Sequence, residues 1–271
     1  MTNIHRSDIY AQVTETIVAD LSKGVRPWSK PWTCGPVGLP VRHNGDRYRG
    51  LHVGILRVSA MAKGYRGEKS TGVVYAKAID TTDTNESGEQ VAGQVFLTRS
   101  YSVFNAEQIE GLPEDSEAVR VAGEPIAPIE VAERFFAATG AEFRYGGDKA
   151  FYSPRLDYIQ MPHLSAFSDP HAFAATQAHE LTHWTLHPTR LNRTQETIRF
   201  GNEAYAREEL VAELGAAFLC ASLGIAATPR ADHADYIGDW LQVLQNDHRA
   251  IFTAAAQAQR AVDFLYALQP A

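Results

Sequence analysis

Apolar residues recur at helical spacing near the start of the chain. Ile9, Val13, Ile17 and Leu21 lie one turn apart within residues 7–23, Ser7 and Asp8 can cap the start, and Gly24 ends the run. The pattern predicts a helix. The next segment, VRPWSKPWTCGPVGLP, carries four prolines and two tryptophans and reads as an irregular loop. RYRGLHVGILRVSAMAKGY predicts a turn entering a second helix closed by Gly64, and STGVVYAKAI and QVFLTRSYSVFNAEQ, apolar and β-branched, predict strands. Between those strands, DTTDTNESGEQ reads as a polar hairpin loop.

Residues 110–128 are acidic, broken by Pro and Gly, and poor in large apolar groups, so they read as a linker with a boundary near residue 120. IEVAERFFAATG predicts an amphipathic helix, and AEFRYGG and KAFYSPRLDYIQMP predict strands with tight turns. Everything after residue 169 is helical in pattern, with breaks at 187–203, 224–232 and 247–249. The expected class is α+β in two domains, residues 1–120 and 125–271, the second a small sheet followed by a helical run.

Composition adds one feature. The 271 residues carry a net charge of −7, yet residues 1–78 hold 12 Lys and Arg against 5 Asp and Glu, a balance of +7, which leaves −14 for the remainder. Such a split points to a nucleic-acid-binding end. Arg26, Trp28, Lys30, Trp32, Arg47, Tyr48 and Arg49 interleave cations with aromatic rings there, with Arg42 and Arg57 nearby. That mixture suits a stacking surface for single-stranded DNA, and equally a Pro-rich loop anchored on a core by its tryptophans. No apolar run reaches the roughly 18 to 20 residues that span a bilayer. The first residues are polar, without signal-peptide character, and the two cysteines, Cys34 and Cys220, make no framework, so a cytoplasmic location and no membrane partner are expected.

The sharpest motif is HELTH, His179–Glu180–Leu181–Thr182–His183. Ser168 or Asp169 can cap its helix, with Pro170 at the first position. One turn apart on one face, both imidazoles can reach one metal ion, and Glu180 beside them has the general-base role towards water. His163 and His171 read as cleft or surface groups, and His187 as a helix-end residue beside Pro188. A third ligand is needed, and YAREELVAELGAAFLCASLG offers Glu208, Glu209 and Glu213.

At this point the sequence resembles the gluzincin metallopeptidases. The resemblance implies Glu209 as the third ligand and Glu213, four residues on, as the acid that holds a ligating histidine; Glu213 as the ligand itself is the alternative. Glu208 is expected to point elsewhere, into solvent. DYIQMP resembles the edge strand that in this superfamily pairs with extended substrates. Tyr158, Arg190 and Arg193 are candidates to stabilise an oxyanion. Zinc is the implied metal, with manganese or cobalt also compatible with the donors.

PWSKPW followed by GLPVRHNGDRYRGLHVGIL resembles the N-terminal domain of ArdC-type plasmid antirestriction proteins, similar domains of which front some plasmid primases. VFNAEQIEGLP resembles the close of that domain, and AHELTHWT, RLNR and YAREELVAELGAAFL resemble the zincin domain that follows. The resemblance implies single-stranded DNA binding joined to a metallopeptidase-like domain, a possible peptide or protein substrate, and protection of incoming plasmid DNA from host restriction. After Gly64–Tyr65 the chain departs from the family pattern, where a stretch of the DNA-binding domain is shortened. Two rival readings stand beside this one: a catalytically silent zincin scaffold acting through DNA binding alone, and a metallopeptidase whose first half holds a protein partner.

Overall fold

The computed structural model describes residues 6–23, 48–49, 56, 70–84, 90–104, 128–193, 203–225 and 234–270. The chain divides into two compact units, Met1–Gly54 with Val121–Ala271, and Ile55–Arg120.

The smaller unit contains a two-stranded antiparallel ribbon, β1 (Thr71–Thr84) and β2 (Gln90–Val103), in continuous register from Thr71↔Val103 to Thr84↔Gln90. Asp80–Thr84 and Gln90, expected in a loop, are therefore strand. Thr81, Thr82 and Thr84 are β-branched, and that preference for extended backbone outweighs their polarity. Residues 85–89 of the expected loop lie outside the described residues.

The larger unit holds α1 (Arg6–Leu21), α2 (Pro128–Ala138), β3 (Glu142–Tyr145), β4 (Phe151–Ser153), β5 (Tyr158–Met161), α3 (Pro170–Trp184), α4 (Glu203–Leu223), α5 (Ala234–Asn246) and α6 (Ala250–Ala267). Helix α1, expected to belong to the first domain, is built into this core. Ile17 and Leu21 are buried in it, Thr14 Oγ1 donates to the His248 carbonyl at 2.7 Å, and the Tyr10 ring meets Phe252 edge-on at 4.7 Å.

The sheet has the order β3-β5-β4, with β5 parallel to β3 and antiparallel to β4. Tyr158–Met161 is thus the central strand and not an edge, and its hydrogen-bonding groups are already committed on both sides. An added substrate strand has no place there. The edge expectation rests on the resemblance of DYIQMP to the gluzincin strand, and here the three-residue β4 covers the second side. Ile159 and Met161 are fully buried beneath the helices.

Helix α3 begins where expected: Asp169 is the N-cap, its carboxylate accepting from the Ala172 N–H at 2.8 Å, with Pro170 at the first position. That amide lowers the Asp169 pKa. Helix α4 is buried on almost all sides, and Gly224 ends it at φ +73°, with Ile225 N–H returning to the Cys220 carbonyl at 2.9 Å. Cys220 is buried in the core, and Cys34 lies outside the described residues.

Helices α3 and α4 touch at Gly215. A Cβ there would come within 2.5 Å of Thr182 Cγ2 and 2.7 Å of Thr182 Oγ1. Gly215→Ala is therefore expected to force the two helices apart and cost about 1–3 kcal/mol. Thr182→Ala in the same chain should restore part of the loss, because it removes both of those atoms. Thermal denaturation of the single and double variants checks this; an unaltered melting temperature for Gly215→Ala would mean that the contact does not limit the approach.

Candidate metal centre

Helical periodicity carries His179 and His183 to the same face of α3, and the α3–α4 crossing sets Glu209 opposite them. The two Nε2 atoms stand 3.2 Å apart, and the Glu209 carboxylate lies 3.5 Å from each, one oxygen to each ring. Together these three residues offer one ligand atom each, all within 4.8 Å of one another. Two imidazole nitrogens aimed at one another beside a carboxylate would repel if both were lone pairs. They are reconciled by a proton or a cation at the point they share, and the set of two nitrogens and one oxygen suits a divalent first-row metal ion.

The outer nitrogens of the rings also face acids. Glu213 Oε2 is 3.6 Å from His179 Nδ1, and Glu208 Oε1 is 3.3 Å from His183 Nδ1. Glu209 therefore faces the shared point while Glu213 faces the far side of His179. Glu180 is buried on α3 next to His179.

Glu208 departs from expectation. It is buried, not solvated, and its carboxylate is gripped by Arg193, with Nη2 2.8 Å from Oε1 and Nε 3.3 Å from Oε2. A helix enclosed on almost all sides has no solvent face for it to occupy. Arg193 is thereby committed to structure, and so is Arg190. The Arg190 guanidinium lies 3.9 Å over the Trp184 ring, donates to the Trp184 carbonyl at 2.6 Å and to Tyr152 Oη at 3.0 Å, and pairs with the Asp157 carboxylate. That pairing lowers the Asp157 pKa, while burial first and the Asp157 carboxylate second raise that of Tyr152. Neither arginine is free to meet an oxyanion. The Tyr158 ring lies 3.9 Å under the Arg144 guanidinium and against Phe151.

His163 is exposed, His171 is partly buried, and His187 sits in the turn past the end of α3, 2.8 Å from Thr189 Oγ1. Of the residues expected to bind DNA, Arg26, Trp28, Lys30, Trp32 and Arg47 lie outside the described residues, as do Arg42, Arg57 and the Gly64–Tyr65 departure. Tyr48 is half-buried, and Arg49 forms an exposed ion pair with Asp263 on α6. The sequence reading missed Arg193 as the partner of Glu208, although the arginine stands only ten residues past His183. It needs the chain reversal described below, which leaves no periodic trace.

Without a metal, burial disfavours the charged form of His183, but the carboxylates of Glu209 and Glu208 outweigh this and raise its pKa from 6.5 to about 10. Burial likewise raises Glu208 and Glu209, and their cationic neighbours more than reverse it, holding both low. Because the folded value for His183 is raised, its charged form stabilises the metal-free protein fully below about 6.5, and that contribution fades as pH rises through about 10. A cation at Nε2 must displace this proton. Divalent metal binding at pH 7 is thus expected to release a proton and to tighten as pH rises from 6 to 8, as read by calorimetry in buffers of different ionisation heat. Binding without proton uptake by the buffer would contradict the charged state assigned to His183.

Comparison with known proteins gives a match in each half of the sequence. Residues 7–66 match the model of the N-terminal domain of anti-restriction factor ArdC, and residues 130–257 match that of a zincin-like metallopeptidase. Crystal structures of the antirestriction ArdC protein from plasmid R388 share 38% identity, covering 96% of this chain and 97% of that one, with TM-scores of 0.76 for the metal-free form and 0.74 for the Mn(II)-bound form. The uncharacterized protein y4eC of Sinorhizobium fredii (strain NBRC 101917 / NGR234) is 36% identical over 290 aligned positions, covering 97% of this chain and 93% of the relative. DNA primase TraC of Escherichia coli is 36% identical over 97% of this chain, which spans only 27% of the primase. Among the described residues no helix is long and apolar enough to cross a membrane.

Proposed function

The chain belongs to the ArdC family of antirestriction proteins, with a zincin-like C-terminal domain, and from that premise we propose that it binds single-stranded DNA, holds zinc on His179, His183 and Glu209, and protects plasmid DNA from host restriction as it enters a recipient cell. The observation that carries the metal half of this reading is the convergence of those three side chains on one point. Divalent metal binding is supported by the zincin-like domain and the Mn(II)-bound relative. The DNA half is supported by the match over residues 7–66, the basic balance of residues 1–78, and the primases among the relatives.

A divalent cation bound there would supply Lewis acidity towards a carbonyl oxygen. The protein's own groups do the rest. Glu209 and the two imidazoles fix the position of the site, and Glu213 and Glu208 orient the rings from behind. The Glu180 carboxylate takes a proton from water and returns it to the leaving nitrogen of a peptide. The R388 relative is known in a metal-free and a Mn(II)-bound crystal structure, and this fold resembles both, which supports a metal that the fold itself does not require. The rival reading of a silent scaffold predicts the same DNA binding with no dependence on Glu180.

Two experiments separate these. Glu180→Gln is expected to keep wild-type metal content and lose any peptide hydrolysis by about 100-fold or more; undiminished cleavage would remove Glu180 from the base role. Titration of labelled single-stranded and duplex oligonucleotides across a salt series should show preferential single-strand binding that weakens steeply with salt. Replacing Trp28 and Trp32 by Ala should weaken it by roughly 10-fold or more, since each stacked base contributes about 1–3 kcal/mol. No single-strand binding even at low salt would leave the first half to a protein partner.

A further inference from the structure

The loop that leaves α3 turns back on itself. Leu191 N–H donates to the Thr185 carbonyl at 3.1 Å, Asn192 N–H to the His187 carbonyl at 3.1 Å, and Arg193 N–H to the Leu186 carbonyl at 3.0 Å. Asn192 makes the reversal possible by adopting φ +46°, a conformation asparagine tolerates better than most residues. The result returns Arg193 beneath the end of the helix that bears His183. Its side chain is only 5% exposed. Nη2 donates to the Thr182 carbonyl at 2.8 Å and Nη1 to Thr185 Oγ1 at 2.6 Å, and the fork then meets both oxygens of Glu208.

We propose that Arg193 is a positioning residue for the metal centre: anchored on the last turn of α3, it fixes Glu208 so that this carboxylate accepts the Nδ1–H of His183 and turns the Nε2 lone pair towards the point shared with His179 and Glu209. The inference rests on the metal reading above. Glu208 adjoins Glu209 in sequence and is buried beside it, so an unrestrained Glu208 carboxylate would compete for the same cation. The bidentate guanidinium removes that freedom, and its planar fork holds both oxygens at once in a way a lysine ammonium does not.

The test measures dissociation constants for Zn(II) by competition with a chromophoric chelator, with circular dichroism confirming the fold of each variant. Arg193→Met and Glu208→Ala are each expected to weaken binding 10- to 100-fold, and the double variant no further, because Arg193 acts through Glu208. Arg193→Lys should fall between wild type and Arg193→Met. Arg190→Met, which removes the buried arginine paired with Asp157, should lower the melting temperature and leave zinc affinity alone. In zinc-loaded wild type the Nδ1–H of His183 should be visible by 15N-edited NMR and be lost in Glu208→Ala. Wild-type affinity in a folded Arg193→Met or Glu208→Ala variant would overturn the proposal and leave the metal centre standing. Absence of zinc binding by the wild type would overturn the metal centre and this inference with it.

Discussion

Four carboxylates, those of Glu180, Glu208, Glu209 and Glu213, are buried where α3 crosses α4, and the larger unit is arranged around keeping them there. A carboxylate withdrawn from water costs several kcal/mol unless its charge is answered nearby. Among the described residues, the guanidinium of Arg193 answers Glu208, and the positive charge of protonated His183 answers Glu208 at Nδ1 and Glu209 at Nε2. One divalent cation at the shared point meets the same demand more fully, since it replaces one positive charge by two. The positive charge at the shared point can therefore be carried in two ways, by a proton on His183 or by a metal ion, and the metal answers more of the buried negative charge.

That balance depends on distance, and distance depends on small side chains. Ala174, Ala175 and Ala178 on α3 and Ala212, Gly215 and Ala216 on α4 are buried, and at Gly215 the helices come too close for even a methyl group. Larger residues would move the Glu209 carboxylate away from both imidazoles at once, because α4 is rigid and its acids travel together. The far end of α3 is held by a second device, Arg190, which joins the Trp184 carbonyl to Tyr152 and Asp157 on and beside the sheet. Apolar contacts set the spacing, and the two arginines set where α3 ends.

The meeting of His179 and His183 on one face was legible because a five-residue spacing on one helix fixes its own geometry, and they need no distant partner to lie together. The helix boundaries were legible for the same local reasons, with Asp169, Pro170 and Gly224 marking them by backbone chemistry alone. What escaped was tertiary. Glu208 was misjudged because a helical wheel assumes a solvent side, and α4 has almost none. The edge position of Tyr158–Met161 rested on resemblance, and its pairing with β4 on the second side is a matter of strand order that no periodicity carries. Arg190 and Arg193 looked like free cations in a loop, and only the reversal at Asn192 shows where Arg193 is used.

The placement of α1 bears on how the two halves of the sequence work together. The match to the N-terminal domain of anti-restriction factor ArdC begins at residue 7, yet α1 buries Ile17 and Leu21 in the core that also contains α3 and α4. Arg49 is tied to the same unit through Asp263 on α6. An exposed ion pair of this kind contributes little to stability, so it can be exchanged for a phosphate at small cost. The packing of α1 is thus a physical link between the start of the region matched to the ArdC N-terminal domain and the unit that carries His179 and His183.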